Sequence, residues 1–180
     1  MVKFRKKDIR KRLISKRKKI GTEEVKRVSK LIIEQIVLDP NYQRAKTVGI
    51  YMPINNEIDL TALTNDKSRV FVVPKIINNN NLIFVKIDEK SEFKLNRYNI
   101  LEPISDENII EIDYLLVPAV AIYNNYRLGY GGGHYDRYLS HVRPKKIVGV
   151  IYQFQEEEFK IDRHDQVLDY YFKAWKSIFK

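Results

Sequence analysis

Apolar positions along this chain change their period more than once, and each change marks an element. Ile9, Leu13 and Ile14 recur at helical spacing with Phe4 near the start, and Gly21 breaks the pattern. Thr22 followed by Glu23 and Glu24 reads as a helix cap with acids in the first turn. Val25, Val28, Ile32 and Ile36 continue a second helical stripe that stops before Pro40. The pattern then turns to apolar, β-branched runs. TVGIYMPI (47–54) and RVFVVPKI (69–76) read as buried strands. Between them, Asp59 or Thr61 caps a short helix. NNNNLIFVKI (78–87) reads as a turn and a more exposed strand, and FKLNRYNILEPI (93–104) as irregular chain. DYLLVPAVAIY (113–123) and KKIVGVIY (145–152) are further strands, DRYLSHV is a helix, and the tail closes on a short strand or helix. Strands alternating with helices predict an α/β fold with a largely parallel sheet. No internal repeat is evident, and Asn78–Asn81 is too short a run to be a linker, so residues 1–180 are expected to form a single domain.

Charge sharpens this picture at one end only. Of 33 basic and 23 acidic side chains, eleven and one fall within the first 20 residues, leaving 22 of each beyond. The net charge of +10 is therefore a property of the first helix. Such a segment suits nucleic acid, an acidic membrane face or a polyphosphate, or is simply a solvated face. Cysteine is absent, which rules out disulfides and thiolate chemistry. No apolar run approaches the ~20 residues that span a bilayer. With no apolar signal core either, a cytoplasmic location is expected.

The chemistry concentrates in NNYRLGYGGGHYDRYL (124–139). Four of the seven glycines, Gly129, Gly131, Gly132 and Gly133, lie there between Arg127 and the cluster His134–Tyr138. A glycine stretch between a buried strand and a helix places flexible backbone where α/β sheets bind ligands. The helix start offers unpaired amides to an anion, and Arg127 and Arg137 add charge suited to phosphate. The spacing is neither that of a Walker loop nor the dinucleotide fingerprint. Asp136 is odd for a phosphate cradle, since a carboxylate beside phosphates usually implies a bridging Mg²⁺, because two anions otherwise repel. A glycine turn with a capping acid is the other reading.

The segment RLGYGGGHYDRYL resembles the signature of the 5-formyltetrahydrofolate cyclo-ligase (5,10-methenyltetrahydrofolate synthetase) family. KKDIRKRLISKRKKI, IYMPINNEID, VVPKI, YNILEP, LLVPAVAI and HDQVLD are similar to further family segments, in family order. The resemblance implies a three-layer α/β domain with a Rossmann-like sheet. It also implies a ligase that forms 5,10-methenyltetrahydrofolate from 5-formyltetrahydrofolate with ATP and Mg²⁺, releasing ADP and phosphate. By the same resemblance, Lys6 and Arg10 contact ATP phosphates, and Met52 and Glu57 bind folate. Arg127, Leu128, Gly129, Tyr130, Gly131, Gly132, Gly133, His134 and Tyr135 form the nucleotide loop, whose Tyr130–His134 part also meets the folate. Arg127, Tyr135 and Asp136 are the implied catalytic residues, and Asp136 and Asp165 the Mg²⁺ ligands. The expected partner is a small-molecule folate, polyglutamated forms included, with no nucleic acid or membrane, acting on a monomer.

The chain departs from the family pattern at two positions. Many members carry lysine at Gly132 and tyrosine or phenylalanine at His134, which leaves a wall role more natural for His134 than proton transfer. A nucleic-acid module using the basic helix and a related ATP-dependent ligase of altered substrate are the alternative readings.

Overall fold

The computed structural model describes residues 5–78 and 81–174. Phe4 and the middle of the asparagine run lie outside them. Its centre is a six-stranded sheet in the order β10-β9-β6-β1-β2-β3. The strands are β1 Thr47–Gly49, β2 Val70–Ile76, β3 Leu82–Ile87, β6 Tyr114–Pro118, β9 Lys146–Tyr152 and β10 Tyr170–Ala174. All neighbours pair in parallel except β2 with β3, which run antiparallel. Helices α2 (Thr22–Leu38) and α3 (Pro40–Arg44) contribute to the core on one face through Val28, Ile32, Ile36 and Tyr42. Helix α4 (His134–His141) covers the other with Tyr138 and Leu139 against Phe84, Leu115 and Val117. The expected three-layer α/β arrangement with a largely parallel sheet is therefore present.

Helix α1 (Lys6–Lys18) joins neither face. Its Ile9 and Leu13 pack on Val120, Ala121, Leu128 and Phe159, at a hairpin of β7 (Ala121–Tyr123) and β8 (Tyr126–Leu128). The run read as one strand over 113–123 is thus two, bent after Pro118. The glycine stretch follows this hairpin rather than a central strand.

Other boundaries move for local reasons. Of TVGIYMPI, only Thr47–Gly49 is strand, because the chain leaves the sheet to build the loop beyond it. Gly21, which has no side chain to cap with, takes the N-cap position of α2, and Thr22 is its first residue. Pro40 opens α3, where Asp39 accepts from the Asn41 amide at 2.8 Å. Asp39 also accepts from the Tyr114 hydroxyl at 2.6 Å and from that of Tyr170, tying the cap to two strands. The stretch read as irregular over 93–104 contains a hairpin, β4 (Phe93–Leu95) with β5 (Leu101–Pro103). β3, read as exposed, buries Leu82, Phe84 and Val85. Asp59 accepts from the Thr61 amide at 2.9 Å ahead of the short 3₁₀ helix Thr61–Asn65. Among the described residues, no helix is long and apolar enough to cross a membrane.

Close packing also dictates a glycine in β9. A Cβ on Gly149 would lie 2.6 Å from Ile122 Cδ1, 2.8 Å from Leu168 Cδ1 and 3.1 Å from Tyr171 Cβ. Overpacking of this kind costs about 1–3 kcal/mol. Gly149→Ala is expected to lower the urea midpoint with little change in m. An unchanged midpoint would show that the neighbours give way freely.

Candidate active site

The strand order turns between β1 and β6: after β1 the chain goes to β2 on one side, and β6 returns on the other. In open parallel sheets the crevice at such a turn is where ligands bind. A cleft of about 570 Å³ opens at that end. Its walls come from the loop after β1 (Met52, Glu57), from Pro118 at the end of β6, and from the glycine loop. The near face of α1 (Lys6, Arg10), the β4–β5 hairpin (Tyr98, Ile100) and the segment 162–165 (Asp162, Asp165) line it as well.

The site residues implied by the family resemblance all line this cleft. Arg137, read as a second cation for phosphate, does not line it; its Nη2 donates to the Gly132 carbonyl at 2.5 Å instead. The glycine loop runs through its middle, with Gly131 at φ +109° and Gly133 at φ +69°. Gly133 is the N-cap of α4, so the first amides of that helix lack intrahelical acceptors. Leu128 is different from its neighbours: its side chain is core, packed with Ile9 and Leu13, and only its backbone can serve a ligand.

Helix α1 supplies the cations. Arg10 donates from Nε to the Gly129 carbonyl at 2.7 Å. Lys6, one turn earlier, places Nζ 2.7 Å from Asp162 Oδ2 and 2.6 Å from Asp165 Oδ2. Burial pulls the Lys6 ammonium down, but these two partners outweigh it and hold the pKa above its ordinary value. Arg127, buried behind the loop, donates from Nε to the Pro118 carbonyl at 3.0 Å and lies over the Tyr135 ring at 4.8 Å. Burial raises the Tyr135 phenol, and the Arg127 charge opposes this without cancelling it. Tyr135 therefore stays protonated at neutral pH and can donate a hydrogen bond rather than act as a base.

Asp136 lies in the first turn of α4. Among the described residues its buried Oδ1 has no hydrogen-bond partner, with Arg127 Nη1 at 4.0 Å. A buried carboxylate oxygen lacking a donor suits a cation. Asp165 lies in a small cluster with Asp162 and His164 whose ligand atoms fall within 4.8 Å of one another. Both Asp136 and Asp165 line the cleft, but Asp165 Oδ2 is engaged by Lys6, so the open carboxylate oxygen that suits a hard cation is Asp136 Oδ1.

Glu57 is buried among polar partners. Its Oε2 accepts from the Ile54 amide at 2.9 Å, and its Oε1 accepts from the Tyr130 hydroxyl at 3.2 Å. Burial raises its carboxyl above the ordinary range, opposed by the charge of Arg17, whose Nη2 is 3.5 Å away. Arg17 was missed by sequence reasoning, along with Asp162 and the hairpin residues Tyr98 and Ile100. A signal for Arg17 exists, since it continues the Ile9–Leu13 stripe at the next fourth position and is buried with them. Tyr98 had no comparable signal, because its position depends on the hairpin.

The two departures from the family pattern touch each other. A Cβ at Gly132 would lie 2.7 Å from His134 Nδ1, so the bare glycine makes room for the imidazole. The imidazole in turn meets the Tyr98 ring edge-on, centroids 6.2 Å apart.

Residues 2–171 match the 5-formyltetrahydrofolate cyclo-ligase family. The chain belongs to this family of ligases. A 5-formyltetrahydrofolate cyclo-ligase of Mycoplasma pneumoniae is 33% identical over 169 residues, covering 89% of this chain and 93% of the relative. The solved structure of Aquifex aeolicus 5,10-methenyltetrahydrofolate synthetase superposes with a TM-score of 0.82 at 32% identity, covering 93% of this chain and 89% of that one. A Mycoplasma pneumoniae synthetase gives 0.74 at 28% identity, covering 93% and 98%. The cyclo-ligase family membership thus agrees with the motif order in the sequence and with the superposition of the fold on solved relatives.

The glycine loop of this cyclo-ligase family member offers a direct test. At Gly131 a φ of +109° lies outside the range side chains adopt readily. Gly131→Ala is expected to weaken binding of an ATP analogue at least tenfold while the thermal midpoint moves by only a few degrees. Unaltered nucleotide affinity by calorimetry would separate Gly131 from the nucleotide site.

Proposed function

We propose that this chain is a 5-formyltetrahydrofolate cyclo-ligase, acting as a single-domain monomer that uses ATP and Mg²⁺ to form 5,10-methenyltetrahydrofolate. One observation carries the reading: the loop Gly129–Gly133 shares one cleft with Lys6 and Arg10 on one side and Met52 and Glu57 on the other. Two ligands can therefore meet across one short run of backbone.

The reaction needs what this cleft holds. A formamide oxygen is a weak nucleophile and its carbon a weak electrophile, and phosphorylating the oxygen answers both. The bond from the γ-phosphorus to its bridging oxygen breaks, a bond to the formyl oxygen forms, and ADP leaves. The resulting iminium phosphate is attacked by folate N10, which loses its proton as the new C–N bond forms and phosphate departs. Phosphoryl transfer depends mainly on positioning and charge neutralisation. Arg10, Arg127, Lys6 and the loop amides supply donors and positive charge, and no side-chain nucleophile is needed. Asp136 and Asp165 would hold Mg²⁺, which when bound neutralises phosphate oxygens. Glu57 accepts from the N–H donors of the pterin ring, a pairing a carboxylate makes well. Tyr135 donates from a protonated phenol, and His134 with Tyr98 forms part of the wall.

The test is absorbance at the methenyl-folate band after mixing the protein, 5-formyltetrahydrofolate and Mg-ATP. A rise that requires ATP and is lost with EDTA is expected, and no ATP-dependent rise would overturn the activity. Arg10→Ala is expected to raise the KM for ATP at least tenfold, read from initial rates. ATP kinetics matching the wild type would remove Arg10 from the site.

A further inference from the structure

We propose that Arg17 is the positioning residue for folate recognition: it keeps Glu57 in place as an ionised acceptor and fixes the glycine loop against it. This rests on the cyclo-ligase reading above and deepens it. Arg17 is 1% exposed, and among the described residues the carboxylate it pairs with is Glu57. Its Nε donates to the Asn55 carbonyl at 2.9 Å and its Nη1 to the Ala119 carbonyl at 3.3 Å. Its Nη2 reaches Glu57 Oε1 and the Tyr130 hydroxyl. Asn55 lies after β1 and Ala119 after β6, so one guanidinium spans the two sides of the crevice and holds the loop between them.

Stability alone is a poor account of such a group. Burying a charge costs several kcal/mol, and a buried ion pair can often be replaced by apolar side chains without loss. The arrangement makes sense if the ionised carboxylate is what the site needs. Both Glu57 oxygens are oriented, one by the Ile54 amide and one by Tyr130 and Arg17. Burial drives Glu57 toward its neutral form, which would present a proton to the pterin's N–H donors instead of an acceptor. The other groups that act on Glu57 are the phenols of Tyr51, Tyr130, Tyr135 and Tyr152, all raised and so neutral, and the more weakly acting Arg127 guanidinium. Arg17 is the charge that matters most. The same helix fixes the adjoining carbonyl of Gly129 through Arg10, so α1 registers both ends of the Gly129–Tyr130 step.

The experiment compares wild type, Arg17→Met, Arg17→Lys and Glu57→Gln. Arg17→Met is expected to raise the KM for 5-formyltetrahydrofolate at least tenfold at pH 7.5, with the KM for ATP changed less than threefold. Because Glu57 then protonates at higher pH, the acid-side rise in folate KM should begin at least one pH unit higher than in wild type, and Arg17→Lys should restore most of the difference. In a Glu57→Gln background, adding Arg17→Met should change folate KM less than twofold further. A second readout needs no turnover: the Glu57 carboxyl carbon, assigned as the ¹³C resonance missing in Glu57→Gln, should titrate higher in ligand-free Arg17→Met, or in Arg17→Gln if the methionine variant does not fold. An unmoved midpoint in an active enzyme overturns the Arg17 role. A wild type that turns over no formyl-folate overturns the cyclo-ligase reading instead, whatever the Glu57 midpoint does.

Discussion

Two adjacent parallel strands whose chains leave in opposite directions cannot close the space between their carboxyl ends. Here those strands are β1 and β6, and the cleft exists because of that turn in strand order. Everything chemical follows from how the chain fills it. The loop after β1 brings Glu57, the bend after β6 brings the β7–β8 hairpin and the glycine loop, and α1 comes across to line one side. The hydrophobic contacts of Ile9 and Leu13 with that hairpin are what hold α1 at the site instead of on a sheet face.

This placement gives the charge asymmetry of the chain its meaning. Helix α1 carries most of the excess positive charge. Docked on the hairpin, it turns Lys6, Arg10 and Arg17 toward carboxylates and carbonyls and leaves residues such as Lys7 and Lys11 in water. Part of the excess charge belongs to the site and the remainder is solvated, so net charge alone could not distinguish a nucleotide pocket from a nucleic-acid surface.

The layered fold was legible because α2's stripe and the apolar runs of β2, β6 and β9 have clean periods, and each element buries what its period says. The glycine loop was legible from composition and flanking charge. What escaped had non-local causes. The β7–β8 turn carries Asn124 and Asn125 at φ +48° and +61°, but no glycine marks it. Arg17 read as one more lysine-like surface charge because its partners lie 38 to 113 residues away. Lys6 lies between Asp162 and Asp165, a pairing that only the folded chain brings together. Local pattern specifies elements, whereas a cleft assembled from segments scattered along the chain is a property of their arrangement.

The Gly132–His134 contact has an implication for the shape of the cleft. A side chain at position 132 and an imidazole at 134 compete for one volume. A side chain at 132 is accommodated only if the imidazole turns to another rotamer, which would also break its edge-on contact with Tyr98. The wall of the cleft and the bareness of the loop are thus one feature, and adding a side chain to the loop there would reshape the wall.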